Sequence, residues 1–236
     1  MAGLDDQLEE MEAAEAKATF GRLRPLSGFW RAVFLAFTCI GIFLSVNQIF
    51  NLKLFINIVI LDNSYLYLLL GVFFSLVFLV FPMRKADGQK PVPWYDVILF
   101  LVAISIAIYY AWNGLRSIEN GWEYFAPPLP TYLAFIMWGM VMEGARRTGG
   151  LVIMFIFGTL SFYPIVAEAP WMPSAITGKA STFAETAAYH LMSEESVLGI
   201  PMNVFGTLII GFIIFGVALQ TTGGGRFFIN LAFALL

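Results

Sequence analysis

The 236-residue chain has few of the residues that carry chemistry in water-soluble enzymes. Its single cysteine, Cys39, can close no internal disulfide, and its single histidine, His190, cannot build a His-rich metal site or serve more than one catalytic group. Metal and triad chemistry are thereby nearly excluded, and no catalytic residue, metal or cofactor is expected. Charge is scarce too: Asp, Glu, Lys and Arg make up 12% of the chain, against about 25% in soluble domains. Thirteen Lys and Arg face sixteen Asp and Glu, so there is no basic excess to meet a nucleic acid. The amino terminus lacks the basic start, short apolar stretch and small-residue cleavage site of a secretory signal, and the first span is expected to direct insertion.

What the chain has instead is apolar surface. Hydrophobic residues make up 59% of it, with 24 Phe and a mean hydropathy of +0.80. That is too much to hide in one aqueous core of this size, so much of it must face lipid. A helix needs roughly 20 apolar residues to cross about 30 Å of hydrocarbon. Charge-free runs occur at Ala32–Leu52, Asn63–Met83, Val97–Leu115, Thr148–Ala167 and Ser196–Gly225, and a shorter one, Thr131–Met142, extends through Glu143 to Arg147. These predict an all-α, polytopic membrane protein of about six spans. LFINIVIL at 54–61 is too short to cross and reads as an interfacial or re-entrant piece, and the terminal FFINLAFALL reads as a helix cut short.

Three regions follow. Residues 1–21 form an acidic, Ala/Glu-rich solvated tail, 22–147 a four-helix unit, and 148–236 the start of a second helical region. The cations set the orientation. With the amino terminus cytoplasmic, Lys17, Arg22, Arg24, Arg31, Arg84, Lys85, Lys90, Arg146, Arg147 and Arg226 lie inside, and Lys53, Arg116 and Lys179 outside. Outside, Trp122, Tyr124 and Phe125 precede three prolines and suit an aromatic interface anchor leading into a rigid helix entry. Thr182 and Glu185 have capping-box spacing, and Phe183, Ala187 and Leu191 share one face, predicting a helix on the outer leaflet.

Two groups qualify as candidate packing or gating sites. Glu143, Arg146 and Arg147 end the fourth span, where i+3 and i+4 spacing brings the carboxylate within reach of both guanidinium groups. They serve either a gate or docking surface or, on the favoured reading, an ion-paired cytoplasmic anchor. Thr221, Thr222, Gly223, Gly224 and Gly225 interrupt an apolar pattern, as a discontinuous transporter helix does, although a cytoplasmic turn after the last span is the favoured reading. His190 and Glu194, four apart, form a conceivable proton-sensing pair, but a lone interfacial histidine is ordinarily just solvated. Gly206, Gly211 and Gly216 recur every five residues, which is not the dimer spacing of GxxxG. No span carries an Asp, Glu or Lys away from its ends, so the usual mark of an ion path is missing.

Three segments carry a resemblance: PVPWYDVILFLVAISIAIYY at 91–110, MEGARRTGG at 142–150 and VLGIPMNVFGTLIIGFIIFGVALQTTGGGRFFINLAFALL at 197–236. From about residue 22 onward the chain resembles the amino-terminal part of the fused membrane permeases, TAXI type, of tripartite ATP-independent periplasmic (TRAP) transporters. The resemblance implies a bacterial inner-membrane secondary transporter for organic acids, with a four-helix scaffold followed by the start of a transport subunit. The implied partners are the lipid bilayer, other membrane chains and a periplasmic solute-binding protein. Permeases of this type continue into helical hairpins that hold substrate and coupling ion. Those have no counterpart here, so no family site residue is carried over and the chain alone is not expected to transport. The other expectation is an accessory transmembrane subunit derived from such a permease and packed in a larger complex.

Overall fold

The structure, a computed structural model, describes residues 23–52, 60–84, 90–225 and 227. The expected tail, the piece at 54–59, Lys85, Arg226 and the segment from 228 onward lie outside the described residues. Each of the six charge-poor runs forms a helix, and among the described residues there is no strand.

The helices are α1 (Gly28–Ile49), α2 (Asp62–Val80), α3 (Trp94–Trp112), a short α4 (Gly114–Glu119), α5 (Pro128–Gly149), α6 (Leu151–Val166), α7 (Phe183–Met192) and α8 (Ile200–Thr221). Four of them, α1, α2, α3 and α8, are long and apolar enough to cross a membrane. The 22 residues of α5 include Glu143, Arg146 and Arg147, and the 16 residues of α6 rise only about 24 Å.

Local chemistry sets several boundaries. Pro93 precedes α3 and Pro128 opens α5, positions where the missing N–H is not needed. Between α5 and α6 there is a single residue, Gly150, at φ +87° and ψ −179°. A side chain is strained in that conformation, so glycine alone permits one helix to end and the next to begin without a loop.

The centre is α2. Tyr65, Leu66, Tyr67, Leu69, Leu76, Phe78 and Leu79 are all buried, with α1, α3 and α5 packed around them. Gly71 lets α3 come close, since a Cβ there would lie 2.5 Å from the Cβ of Ala107. Buried hydroxyls need internal partners, and three tyrosines supply cross-links in finding them. Tyr65 donates to the Gly206 carbonyl at 2.8 Å, Tyr67 to the Leu191 carbonyl at 3.0 Å and Tyr110 to the Pro130 carbonyl at 2.6 Å. Gly206 lies in a π-helical turn of α8, Phe205–Ile209, a register that displaces carbonyls from the normal ladder and leaves one for Tyr65.

The periphery is different. No residue of α6 is buried, and α8 exposes Leu208, Phe212, Ile213, Phe215 and Val217. Surfaces of that size on a monomer suit hydrocarbon or another protein, not water.

Three expectations are corrected. The capping box of α7 forms, with Thr182 Oγ1 accepting from the Glu185 N–H at 3.2 Å and Glu185 accepting from the Thr182 N–H at 2.8 Å. Yet Ala187 and Leu191, expected on the outer leaflet, are buried against the protein, while Phe183 is exposed. The helix turns its apolar stripe inward because Tyr67 and α5 offer a better-matched surface. Trp122, expected as an interface anchor, is buried in the core, leaving Tyr124 and Phe125 exposed. His190 is not simply solvated: its Nε2 lies 2.8 Å from the Ser161 carbonyl and its ring 5.2 Å from that of Trp138.

Candidate functional site

The last turn of α5 is built as its spacing predicts. Arg146 grips Glu143 with two parallel bonds, Nε to Oε2 and Nη2 to Oε1, both 2.7 Å. Arg147 donates from Nε to the same Oε1 at 2.8 Å. One carboxylate therefore serves two guanidinium groups on one helix, as i+3 and i+4 positions allow.

The ion pairing continues beyond α5. Nη1 of Arg147 donates to Oδ1 of Asp96 at 2.7 Å, and Nη2 of Arg24 donates to Oδ2 of Asp96 at 2.8 Å. Asp96 sits in the first turn of α3, and Arg24 on the segment entering α1. Five groups thus form one chain in the order Arg24, Asp96, Arg147, Glu143, Arg146. Three cations against two anions leave it at +1. Its inner three side chains are 1%, 0% and 1% exposed, and the outer Glu143 and Arg146 are 26% and 25% exposed.

The arginines also cap α2. A helix leaves its last carbonyls without intrahelical donors, and its carboxyl end attracts positive charge. Leu79 O accepts from Arg24 Nη1 at 3.1 Å, Val80 O from the Arg24 backbone N–H at 2.8 Å, Phe81 O from Arg147 Nη1 at 3.1 Å and Met83 O from Arg146 at 3.2 Å. Arg147 also lies over the Phe78 ring, 5.2 Å from its centroid, a placement that favours a cation. The entry to α1, the end of α2, the start of α3 and the end of α5 therefore meet at one end of the bundle. At the opposite end, Gln48 Nε2 donates to Asp62 Oδ1 at 2.8 Å, joining α1 to α2.

From the sequence, Arg24 counts only as an orienting cation, and neither it nor Asp96 enters the candidate group. Asp96 falls one residue before a charge-free run, where it reads as a span boundary, and 72 residues separate it from Arg24. The available signal was an aspartate in the first turn of an apolar helix just after Pro-Trp-Tyr.

Among the described residues, no hydrogen bond or ion pair joins the second candidate group to this chain of charges. Thr221 and Thr222 donate from their hydroxyls to the carbonyls of Val217 and Ala218 at 2.9 and 2.8 Å, and Gly223 turns the backbone at φ +75°. Gly223, Gly224 and Gly225 are exposed or half-buried. The segment is the turn that ends α8.

The arrangement defines an all-helical protein with four membrane-length helices and a buried charge clamp over the ends of four helices. No family model matches the chain, and neither does any curated protein or solved structure.

Proposed function

We propose that the chain is the scaffold component of a membrane permease, a TRAP-type secondary transporter for organic acids in the bacterial inner membrane. In this reading six helices cross, α5 and the short α6 included, and the clamp lies on the cytoplasmic side. The cation asymmetry and the resemblance at 91–110, 142–150 and 197–236 support it. The observation that carries the scaffold role is the contrast between two halves. The ends of α1, α2, α3 and α5 are locked by the clamp, whereas α6 has no buried residue.

A locked unit suits a stator against which a second unit moves. Its bare helices, packed against lipid or another helix with little difference in energy, suit a neighbouring transport domain. The chain's own spans offer no central carboxylate for a moving site, so transport resides in the partner, with a periplasmic solute-binding protein delivering substrate. The exposed face of α8 favours a second reading, an accessory subunit of a larger complex that moves nothing.

One experiment separates the two. The chain is purified from native membranes in mild detergent with whatever remains stoichiometrically bound, and the complex is reconstituted with labelled dicarboxylates and an imposed sodium or proton gradient. Uptake by the complex but not by the chain alone supports the scaffold reading. A stoichiometric complex without uptake supports the accessory reading, and uptake by the isolated chain overturns both.

A further inference from the structure

Between α2, α5, α6 and α7 lies a cleft of about 410 Å³, within the range of small-molecule sites. Its walls are Phe74 and Val77 from α2, Met137, Trp138 and Val141 from α5, and Phe157 from α6. It follows α5 from Ala134 to Thr148, roughly 21 Å at the helical rise, which is more than one leaflet of a bilayer whose hydrocarbon is about 30 Å thick. On its α6 side the lining residues Ile153 and Phe157 are 40% and 54% exposed.

The polar atoms in its lining already have partners. His190 Nε2 bonds the Ser161 carbonyl, and Ser196 Oγ lies 3.5 Å from His190 Nδ1. Ser161 Oγ donates to Gly158 O and lies 3.2 Å from Trp138 Nε1, and Thr148 Oγ1 donates to Gly144 O. A water in the apolar body of the cleft would find few of the two to four partners it needs, and a charged or hydrogen-bonding ligand would be desolvated with little return. An empty cleft forfeits packing in proportion to its volume. At this depth the surrounding medium is hydrocarbon.

We infer that this cleft is a binding site for one acyl chain of a membrane phospholipid, held between α2, α5 and α6 and in contact with Trp138. The lipid completes the packing of α6, which has no buried residue of its own, and so joins α6 to the clamped helices. The inference rests on the membrane reading above.

Two measurements test it. In the first, the full chain is purified in mild detergent, washed, and its retained phospholipid counted by mass spectrometry. Wild type keeps about one phospholipid per chain. Ala145→Trp, which fills the cleft, keeps at least fivefold less. Gly139→Trp, which adds the same bulk at a position with nothing within 4 Å, keeps as much as wild type. Equal retention in Ala145→Trp and wild type, no lipid in wild type, or a stoichiometric polypeptide retained in its place overturns the proposal.

The second measurement does not depend on Ala145→Trp folding. Trp138 lies ten residues into α5, about 15 Å from its start, near mid-bilayer, whereas Trp94 and Trp112 end α3. In vesicles of phosphatidylcholine brominated near the acyl terminus, most of the quenched tryptophan fluorescence is lost in Trp138→Phe. Unchanged quenching in that variant refutes the site. If the chain does not incorporate into vesicles at all, the membrane reading itself fails, a distinguishable result.

Discussion

Replacing Asp96 by alanine gives the sharpest measure of the clamp. The carboxylate is fully buried, and each oxygen holds one arginine, at 2.7 and 2.8 Å, whose own side chain is 1% exposed. Removing it strands two buried guanidinium groups. Arg147 keeps Glu143, but the Arg24 side chain keeps only the Leu79 carbonyl, and among the described residues its Nε has no partner even in the intact protein. Breaking a buried pair by deleting one partner costs about 3–5 kcal/mol. For a domain of this size that lowers the melting midpoint by roughly 6–20 °C. Asp96→Asn retains the shape but turns amide hydrogens towards one arginine, so its loss is nearly as large. The triple variant Arg24→Met, Asp96→Leu, Arg147→Met removes the stranded charges, which in many proteins restores stability. Here it does so only in part, because Leu79 O and Phe81 O lose their donors, at about 1–3 kcal/mol each if they stay dry. The assay is thermal unfolding in mild micelles, followed by circular dichroism and by gel filtration of heated samples. A loss below about 1 kcal/mol for Asp96→Ala, or full recovery in the triple variant, refutes the reasoning.

Four further outcomes follow from the same geometry. Gly150→Val places a branched side chain at φ +87° and lowers stability by about 1–3 kcal/mol, read by the same melts, whereas Gly139→Ala, in open space on α5, leaves it unchanged. Gly71→Val drives α2 and α3 apart at the Ala107 contact and reduces folded yield, while Gly139→Val, with open space around it, leaves yield unchanged. In the orientation proposed from the cation asymmetry, single-cysteine labelling in a variant lacking Cys39 reaches position 179 but not 85 from outside intact cells, and the reverse pattern inverts the topology. Glu185 accepts from the Thr182 N–H and lies near Lys179, which hold its carboxyl below the usual range. A carboxyl lowered on folding adds stability that is present above its unfolded pKa and is lost as pH falls through the folded one. Amide exchange at the start of α7 therefore accelerates at acid pH relative to the rest of the chain once intrinsic rates are corrected, and Glu185→Gln abolishes that difference.

The helices were legible because hydrocarbon makes a crude demand, a run of about 20 residues without charge; five such runs and one shorter run extended through Arg147 became six helices. Their partners were not. The inward half of α7 and the burial of Trp122 depend on which surface lies opposite, and spacing along one helix says nothing of that. The candidate site was half readable. Glu143, Arg146 and Arg147 meet within one helical turn, so periodicity alone brings them together. Arg24 and Asp96 join them across 72 and 51 residues, distances at which a single sequence carries no pairing signal. Positive charge near a helix end read as an orientation device, and the same residues turn out to hold the carbonyl end of α2.

The clamp also imposes an order on biogenesis. A ribosome adding about 5–20 residues per second makes Arg24 long before Asp96, and Asp96 before Arg147, 51 positions later. From the completion of α3 at Trp112 until Arg147 is added, roughly 2–7 s, the nascent protein holds α1, α2 and α3 with Arg24 and Asp96 as its only clamp members. That pair is neutral, so three helices settle with no net charge at their junction. Oδ1 of Asp96 stays open until α5 emerges, and Arg147 then arrives with Glu143 and Arg146 as a unit already paired within its own helix. On the proposed membrane reading, insertion meets a balanced couple first and an already paired triplet second, and the bond between Asp96 and Arg147 is what joins the two batches.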